Sequence, residues 1–571
     1  MKNKKRWRVN MRKVIAVMLT AVLVMALPMT TLAESSQRKL DINEMPSPWA
    51  VEAVQRAYLL NLIPEGLDGA FTQAITRAEF AAFAVRLYET ATGREITERA
   101  EFYDTTNINV QKMGGLGVVT GIGGRNFAPH NALTRQEAAV ILVHLAYAIG
   151  FLLPTEPASF ADNTYIQSWA LEAVGQMQMA EIMDGVGDNN FEPGGQYTRE
   201  QSIVTMLRLY DILEANGLVV VKVDLSGQDI TDQRLAEMVA SGEIPANVTH
   251  LHLAVNYITD ISPLRSLTGI TYLDLAANNI IDVSPLRNLT GITHLRLAAN
   301  YITDTSPLGS LTNLIELDLW GNRVADVSPL GSLTGLTELN LWGNEFVDIS
   351  YLSDLTNLTV FSVGDNLYFD GDISVLRNFT NLTHLGLGCT WRGQIRDFSS
   401  IEGLVNLQSL QLWGVTWLDD LSVFNGLTNL TSLTIHGANI QDYTPLGNLV
   451  GLTSLNLQSS QIRDVSRLRL YNFPNLTELS LFNNQIEDIA TLRGLATLTS
   501  LSLRDNEISD LSPLAELTSL GFLDLSNNQI TDASPLSSLR GLWQLNLNGN
   551  QIEATHVAWL QSALRGTFIV Y

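Results

Sequence analysis

Three arginines stand in one chemical setting. Arg77, Arg135 and Arg199 each follow a threonine (Thr76, Thr134, Thr198), and two residues further on comes Glu79, Glu137 or Gln201. Threonine followed three positions later by Glu or Gln is a helix-opening capping box, so each arginine falls at the first helical position. A cation there opposes the positive end of the helix dipole, at a cost of about 0.3 kcal/mol or more. Kept three times against that cost, the arginine reads as an anion ligand. Its guanidinium and the free N–H groups of the helix start would converge on one carboxylate or phosphate.

No other cluster of reactive side chains offers a reaction. Phosphate loop, HExxH and nucleophile elbow are all missing, and GGLGVVTG at 114–121 lacks the third glycine of a dinucleotide loop. Five of the eight histidines (His250, His252, His294, His384, His436) fall at outward positions of a repeating strand pattern. Only the first two lie two residues apart on one strand, with Asp274 the single carboxylate beside them, so no metal set is assigned. The one cysteine, Cys389, allows no internal disulfide and reads as a small buried filler. Neither enzyme nor cofactor is expected.

The elements that must position the arginines come in three looser copies. FTQAITRAEFAAFAVRLY from Phe71, FAPHNALTRQEAAVILVHLAY from Phe127 and FEPGGQYTREQSIVTMLRLY from Phe191 share an aromatic, a short turn, Thr-Arg and an amphipathic helix. Shorter helical stretches precede them, as in PWAVEAVQRAYLLNLI with Trp49 and FADNTYIQSWALEAV with Asp162 and Trp169. Gly-rich turns, GVVTGIGGRNFAP and EIMDGVGDNNFEP, link the helices. The units span about 40–97, 98–155 and 156–217.

These residues resemble the S-layer homology domain, whose hallmark is the Thr-Arg-x-Glu helix start. The resemblance implies an all-α pseudo-threefold bundle that binds secondary cell-wall polysaccharide bearing pyruvyl ketals. By that resemblance Arg77, Arg135 and Arg199 face the carboxylate, and Trp49, Trp169, Asp104, Asp162, Gly121 and Gly185 line the grooves. Departures imply unequal grooves: the first unit has FTQ for Phe-x-Pro, the second lacks a tryptophan in its first helix, and the third reads Thr-Arg-Glu-Gln. Residues 34–217 hold 12 basic and 23 acidic side chains, so attraction to an acidic glycan must be local.

From Val248 a second refrain takes over. LDLAANNIIDVSPLRNLTGIT at 273–293 returns one module later as LRLAANYITDTSPLGSLTNLI, and fourteen modules follow, most at 22-residue steps. That period and the L-x-L-x-x-N signature predict an α/β leucine-rich repeat solenoid with a concave parallel β-sheet. The second half of each module resembles the internalin type. Leu273 and Leu275 should face inward and Tyr272, Asp274 and Ala276 outward, while Ser284 and Pro285 read as N-cap and first residue of a short helix. An inward asparagine should form a ladder in the first six modules (Asn256 to Asn366) and the last four (Asn484 to Asn550), broken by Thr390, Val415, Ala438 and Ser460. Residues 218–247 and the final segment read as caps over the open ends.

On the outer face, the position after the second strand leucine holds Trp320, Trp342, Gly364, Gly388 and Trp413 in five successive modules. Two glycines between tryptophans predict a notch roughly 14 Å wide at ~4.8 Å per strand. With His384 and His436 beside it, the notch is the expected contact for a protein or glycan partner, and Trp417 is expected inside the core.

Residues 1–33 have a basic start, an apolar run and a small residue at Ala33, the pattern of a cleaved signal peptide. They carry seven basic and no acidic side chains, and without them the formal charge falls from −23 to −30. Such a chain is not built to bind nucleic acid, and no later stretch is apolar enough for a membrane span. The reading is a secreted bacterial cell-surface protein of a Gram-positive-type envelope, one half holding wall polysaccharide and the other displaying a recognition surface. The alternative is an envelope-organising protein whose solenoid binds the cell's own surface components.

Overall fold

The computed structural model describes residues 45–389 and 395–571. The amino-terminal segment read as a signal peptide and the ladder position Thr390 lie outside the described residues. The chain divides into two compact units, one ending at Leu218 and the other beginning at Val219.

The first unit is helical. Short helices α1 (Val51–Leu59), α3 (Ile108–Gly115) and α5 (Leu171–Met179) alternate with long helices α2 (Arg77–Thr92), α4 (Arg135–Ile149) and α6 (Arg199–Ala215). Each long helix opens on the capping box read from the sequence: Thr76, Thr134 and Thr198 accept from the backbone N–H three residues on, and Glu79, Glu137 and Gln201 return the bond. The residues before these caps close a backbone ring. Ile75 N–H donates to Tyr197 O (2.8 Å), Tyr197 N–H to Leu133 O (2.9 Å) and Leu133 N–H to Ile75 O (2.9 Å). One residue from each unit thus supplies one donor and one acceptor about a pseudo-threefold axis. Phe80, Phe83, Phe127, Phe191 and Tyr197, all buried, fill the space around that ring.

The second unit carries, among the described residues, a sixteen-stranded parallel sheet in strict sequence order, from Lys222–Asp224 to Phe568–Val570. The fourteen modules supply the inner strands, and each cap adds a strand and a helix, α7 (Asp232–Ser241) and α8 (Ala554–Ala563). The register is one module per strand: Leu273 lies between Leu251 and Leu295. Through the second module and into the third, Leu273, Leu275, Ile280, Val283, Leu286, Leu289 and Ile292 are all buried. At roughly 1.5–3 kcal/mol for each such side chain, this stacked core is what the period encodes.

The asparagine ladder forms as expected. Asn278 Nδ2 donates to Leu253 O and Leu275 O at 2.9 and 3.0 Å, and its Oδ1 accepts from Ile258 N–H at 3.0 Å. One amide therefore joins two modules. Ser284 is not the N-cap but the first residue of a short 3₁₀ helix (Ser284–Leu286), with Pro285 second. The N-cap position is Val283, and the helix start is satisfied from one residue earlier by Asp282, whose carboxylate accepts from Ser284 N–H (2.8 Å) and Oγ–H (2.9 Å). Aspartate two residues earlier reaches both donors, which a serine hydroxyl at its own helix start does not.

The buried side chains of Val415 and Ala438 interrupt the ladder with no amide to offer, and Ser460 replaces it only in part, its Oγ reaching Gln458 O at 3.1 Å. Each lost bond between modules is worth ~1–3 kcal/mol where its partner stays buried. Amide hydrogen exchange should therefore be faster in 395–465 than in 250–345 or 480–550, and uniform protection along the array would show the interruption to be without energetic consequence.

Candidate functional site

The motif arginines are spent on holding the helical units together. Arg77 Nε donates to Phe127 O (2.9 Å), Nη1 pairs with Glu137 (2.9 Å) and Nη2 reaches Thr120 O (3.3 Å). Its guanidinium sits 4.7 Å from the centre of the Phe127 ring. Arg135 repeats this against the third unit, donating to Phe191 O and Asp184 O at 2.7 Å each. Arg199 closes the cycle on the first, with Glu79 at 2.6 Å and Gly69 O at 3.1 Å. The expected free N–H groups are not free: those of Arg77 and Ala78 donate to Asn131 O and Pro129 O, and those of Arg135 and Gln136 to Gly195 O and Pro193 O. The turn of the next unit occupies each helix start, so the anion geometry expected from the sequence is already filled by carbonyl oxygens.

Two departures from threefold symmetry follow from two sequence departures. Where the first unit has FTQ instead of Phe-x-Pro, the buried Nε of Arg199 finds no acceptor, whereas Arg77 and Arg135 use theirs on a phenylalanine carbonyl. Gln201 stands where Glu79 and Glu137 stand, and among the described residues Arg135 alone of the three makes no ion pair. Burial, only partly offset by Tyr197 and more distant carboxylates, pulls the pKa of its guanidinium below the usual arginine value.

The other expected groove residues fall into two groups. Trp49 and Trp169 are exposed just before α1 and α5. Asp104 and Asp162 tie turns instead of lining open space: Asp104 accepts from Phe127 and Ala128 N–H at 2.7 Å, and Asp162 from Phe191 and Glu192 N–H at 2.7 and 2.8 Å. The Phe127 bond, aided by that from Ala128, holds the Asp104 carboxyl below the usual carboxylate range. Gly121 and Gly185 permit tight hairpins, since a Cβ there would meet Asn126 O at 2.7 Å or Asn190 O at 3.0 Å.

A shallow groove of about 540 Å³ lies beside the start of α2, lined by Ala78, Tyr103, Asp104, Asn107, Pro129 and His130. The residue at the second helical position distinguishes the three sites. Ala78 lines the first groove, the Gln136 amide oxygen accepts from Gln167 N–H at 3.1 Å, and Glu200 accepts from Ser47 N–H and Oγ–H at 2.9 and 2.8 Å.

On the concave sheet the tryptophan and glycine row is present but the notch is not open. A Cβ on Gly364 would lie 2.7 Å from the Trp342 ring and 2.6 Å from Gly388 N, and one on Gly388 would lie 2.7 Å from the same ring. The indole of Trp342 therefore lies across both glycines, which are buried beneath it. The glycines make a floor for a flat ring; the expectation failed because it treated the tryptophans as upright walls. Trp413 and His436 pair on the far side, ring centres 5.4 Å apart, while His384 is exposed. Trp417 is exposed instead of inside the core. Gly414, at φ 68°, turns the chain early, so Val415 and Leu418 take the inward places and Arg396 lies over the Trp417 ring. Cys389 is half-buried, and burial pushes its thiol pKa up.

Sequence reasoning missed the cluster on the first strands. His250, Tyr272 and His294 stack at 5.5 and 6.0 Å, and Arg296 pairs with Glu316 at 2.8 Å between Asp274 and Asp318. Burial raises the Asp318 pKa to about 6 and lowers that of His250 to about 4. The signal was available as charged and aromatic letters at matching outward positions of neighbouring modules.

Residues 106–139 and 160–201 match the S-layer homology domain family, and six windows within 246–354 and 450–538 match leucine-rich repeats. Among curated proteins the chain is similar to a surface-layer 125 kDa protein of Lysinibacillus sphaericus (29% identity over 218 residues, 36% of this chain and 18% of that protein). It is also similar to an endoglucanase of a Bacillus species, strain KSM-635 (32% over 138 residues, 23% of this chain and 14% of that protein). The chain spans less than a fifth of the length of each of these relatives. Among solved structures it is similar to an internalin, InlF, of Listeria monocytogenes (30% identity, 62% of this chain and 89% of that one, TM-score 0.41). A functional domain of InlJ from the same organism is 23% identical over 58% of this chain and 73% of that one, with TM-score 0.42. Both matched families are non-catalytic binding modules. Among the described residues no helix is long and apolar enough to cross a membrane.

The fit of Trp342 over its glycine floor gives a direct test. Gly388→Ala should destabilise the solenoid by ~1–3 kcal/mol through overpacking against the ring. In a Trp342→Ala background the same change should cost far less, and denaturant unfolding of the double-mutant cycle reads the coupling. Equal costs in both backgrounds would mean the ring does not rest on Gly388.

Proposed function

We propose that this chain, a surface protein carrying S-layer homology domains followed by leucine-rich repeats, attaches non-covalently to an acidic wall polysaccharide through its helical unit and displays its solenoid for recognition. The finer reading, a pyruvylated secondary polysaccharide, rests on the family resemblance. The observation that carries a specific contact is Gln201. It leaves Arg135, among the described residues, as the one motif guanidinium without an ion pair, whereas Arg77 and Arg199 pair with Glu137 and Glu79. A buried cation lacking a counter-charge gains most from an incoming carboxylate. Arg77 and Arg199 then act as clamps between units, and Trp49, Trp169 and the groove at Ala78 offer flanking surface for sugar rings.

Replacing Arg77 would break the bundle, so the informative change adds a partner. Gln201→Glu should pair with Arg135 as Glu137 does with Arg77, keep or raise the melting temperature, and weaken sedimentation with purified wall sacculi. Parent binding should weaken with salt and disappear when the polysaccharide or its pyruvate is removed. Undiminished sedimentation of a folded Gln201→Glu protein would remove Arg135 from the site.

A further inference from the structure

The centre of the concave sheet is uncharged in a strongly acidic protein. Across five consecutive strands, from Val360–Val363 to Ser454–Asn456, none of the three outward positions per strand holds lysine, arginine, aspartate or glutamate. Charged residues make up 16% of the chain, so these solvent-facing positions would hold at least two by composition alone. Charge returns on both sides, at Glu338 and Glu478, and crowds the earlier strands at Asp274, Arg296, Glu316 and Asp318.

What replaces charge is a row of hydroxyls and amides beside indoles. Ser362, Gln411, Thr434 and Asn456 occupy the middle outward position, one per strand, broken only by Gly386. Among the described residues the side chains of Gln411 and Thr434 make no hydrogen bond, and neither is a buried unsatisfied group, so their polar atoms face solvent. Next to this row lie the flat indole of Trp342 and the Trp413–His436 pair. Burial holds His436 below its ordinary pKa, so it too is uncharged at neutral pH.

We infer that this band binds a neutral polysaccharide chain, laid across the strands with sugar faces on Trp342 and Trp413 and hydroxyls on the Ser362, Gln411 and Thr434 row. Hydroxyl and amide groups both donate and accept, which matches a polyol without leaving a charge desolvated. Indole faces supply apolar stacking area at low conformational cost. A repeating polar row at ~4.8 Å intervals suits a polymer better than a compact ligand. An acidic glycan or a protein patch would meet no countercharge here, and the charged strands upstream are the better surface for either. The inference rests on the solenoid being the displayed half, and it assigns that half a ligand different in charge from the wall polymer held by the other.

The test is affinity electrophoresis of the full chain through gels containing soluble mannan, xylan, hydroxyethyl cellulose or polygalacturonate. At least one neutral polymer should retard the protein, equally at low and high salt. Trp413→Ala and Gln411→Ala should each weaken that retardation, by about tenfold for the tryptophan, while Glu316→Ala leaves it unchanged. Gln411→Ala removes only exposed atoms, so its effect cannot be put down to unfolding. Retardation by polygalacturonate alone, by none of the neutral polymers, or equally in the Trp413 and Gln411 variants overturns the inference. Sedimentation with wall sacculi, measured in parallel, reads the helical unit and stays at the parent level in these variants.

Discussion

Both halves of this protein are organised by one requirement, that main-chain N–H and C=O groups turned inward at a bend must find partners. In the helical unit the bends meet on an axis, and Ile75, Leu133 and Tyr197 satisfy one another in a ring. In the solenoid they are stacked in a line, and outside the interruption at Val415, Ala438 and Ser460 an asparagine amide satisfies them from one module to the next. The residue before a ladder asparagine is repeatedly left-handed, at Val255, Ala277, Ala299 and Asp505 with φ near 55–60°. A non-glycine residue in that region costs of order 1–3 kcal/mol, so the amide bonds are what make the bend tolerable. Ring and ladder are closed and open solutions to the same problem.

That requirement also decides which polar side chains remain for binding. Arginine at a helix start looks like an anion ligand in isolation, yet here the next unit's turn brings Phe127 O or Phe191 O to the same spot, consuming the guanidinium of Arg77 and occupying Nε and Nη2 of Arg135. Asp104 and Asp162 go the same way, each to two backbone N–H groups. What is left over is set by departures from the repeat: Gln201 in place of glutamate, Ala78 in place of a longer side chain, and Gly364 and Gly388 in place of tryptophan. In a repetitive molecule the motif builds the scaffold, and the exceptions carry specificity.

Much of the fold was legible because periodicity is a local signal. Capping boxes, the leucine frame, the inward Leu273 and Leu275 and the asparagine ladder each depend on residues within a few positions or one module away, and each stands where the letters put it. The misreadings share another cause. Trp417 changed face because Gly414 altered the turn ahead of it, Ser284 lost its cap role to Asp282, and Trp342 lay down because two other modules had glycine beneath it. Side-chain direction after an irregular turn, and the partner a guanidinium finds across a unit boundary, are set by the packed structure and not by spacing. The uncharged band escaped notice for a simpler reason: it is a property of a surface column read across modules, and the eye reads along the chain.

The two halves also differ in the physics of what they can hold. Residues 34–217 are net acidic, so an acidic polymer approaching them is repelled at long range, and on the function proposed above it would be held only locally, at a buried guanidinium without an ion pair. Such attachment is short-ranged and responds to ionic strength. The outward strand positions in the middle of the solenoid hold no Lys, Arg, Asp or Glu, and the contact inferred there would depend on stacking and on exchanging water for hydroxyl groups, terms that salt barely touches. If both proposals hold, salt would release the anchor while leaving the display surface occupied. The separation follows from where the charges were placed, since rigid parallel strands keep Arg296, Glu316 and Asp318 at one end of the sheet and leave Ser362, Gln411 and Thr434 undisturbed further along.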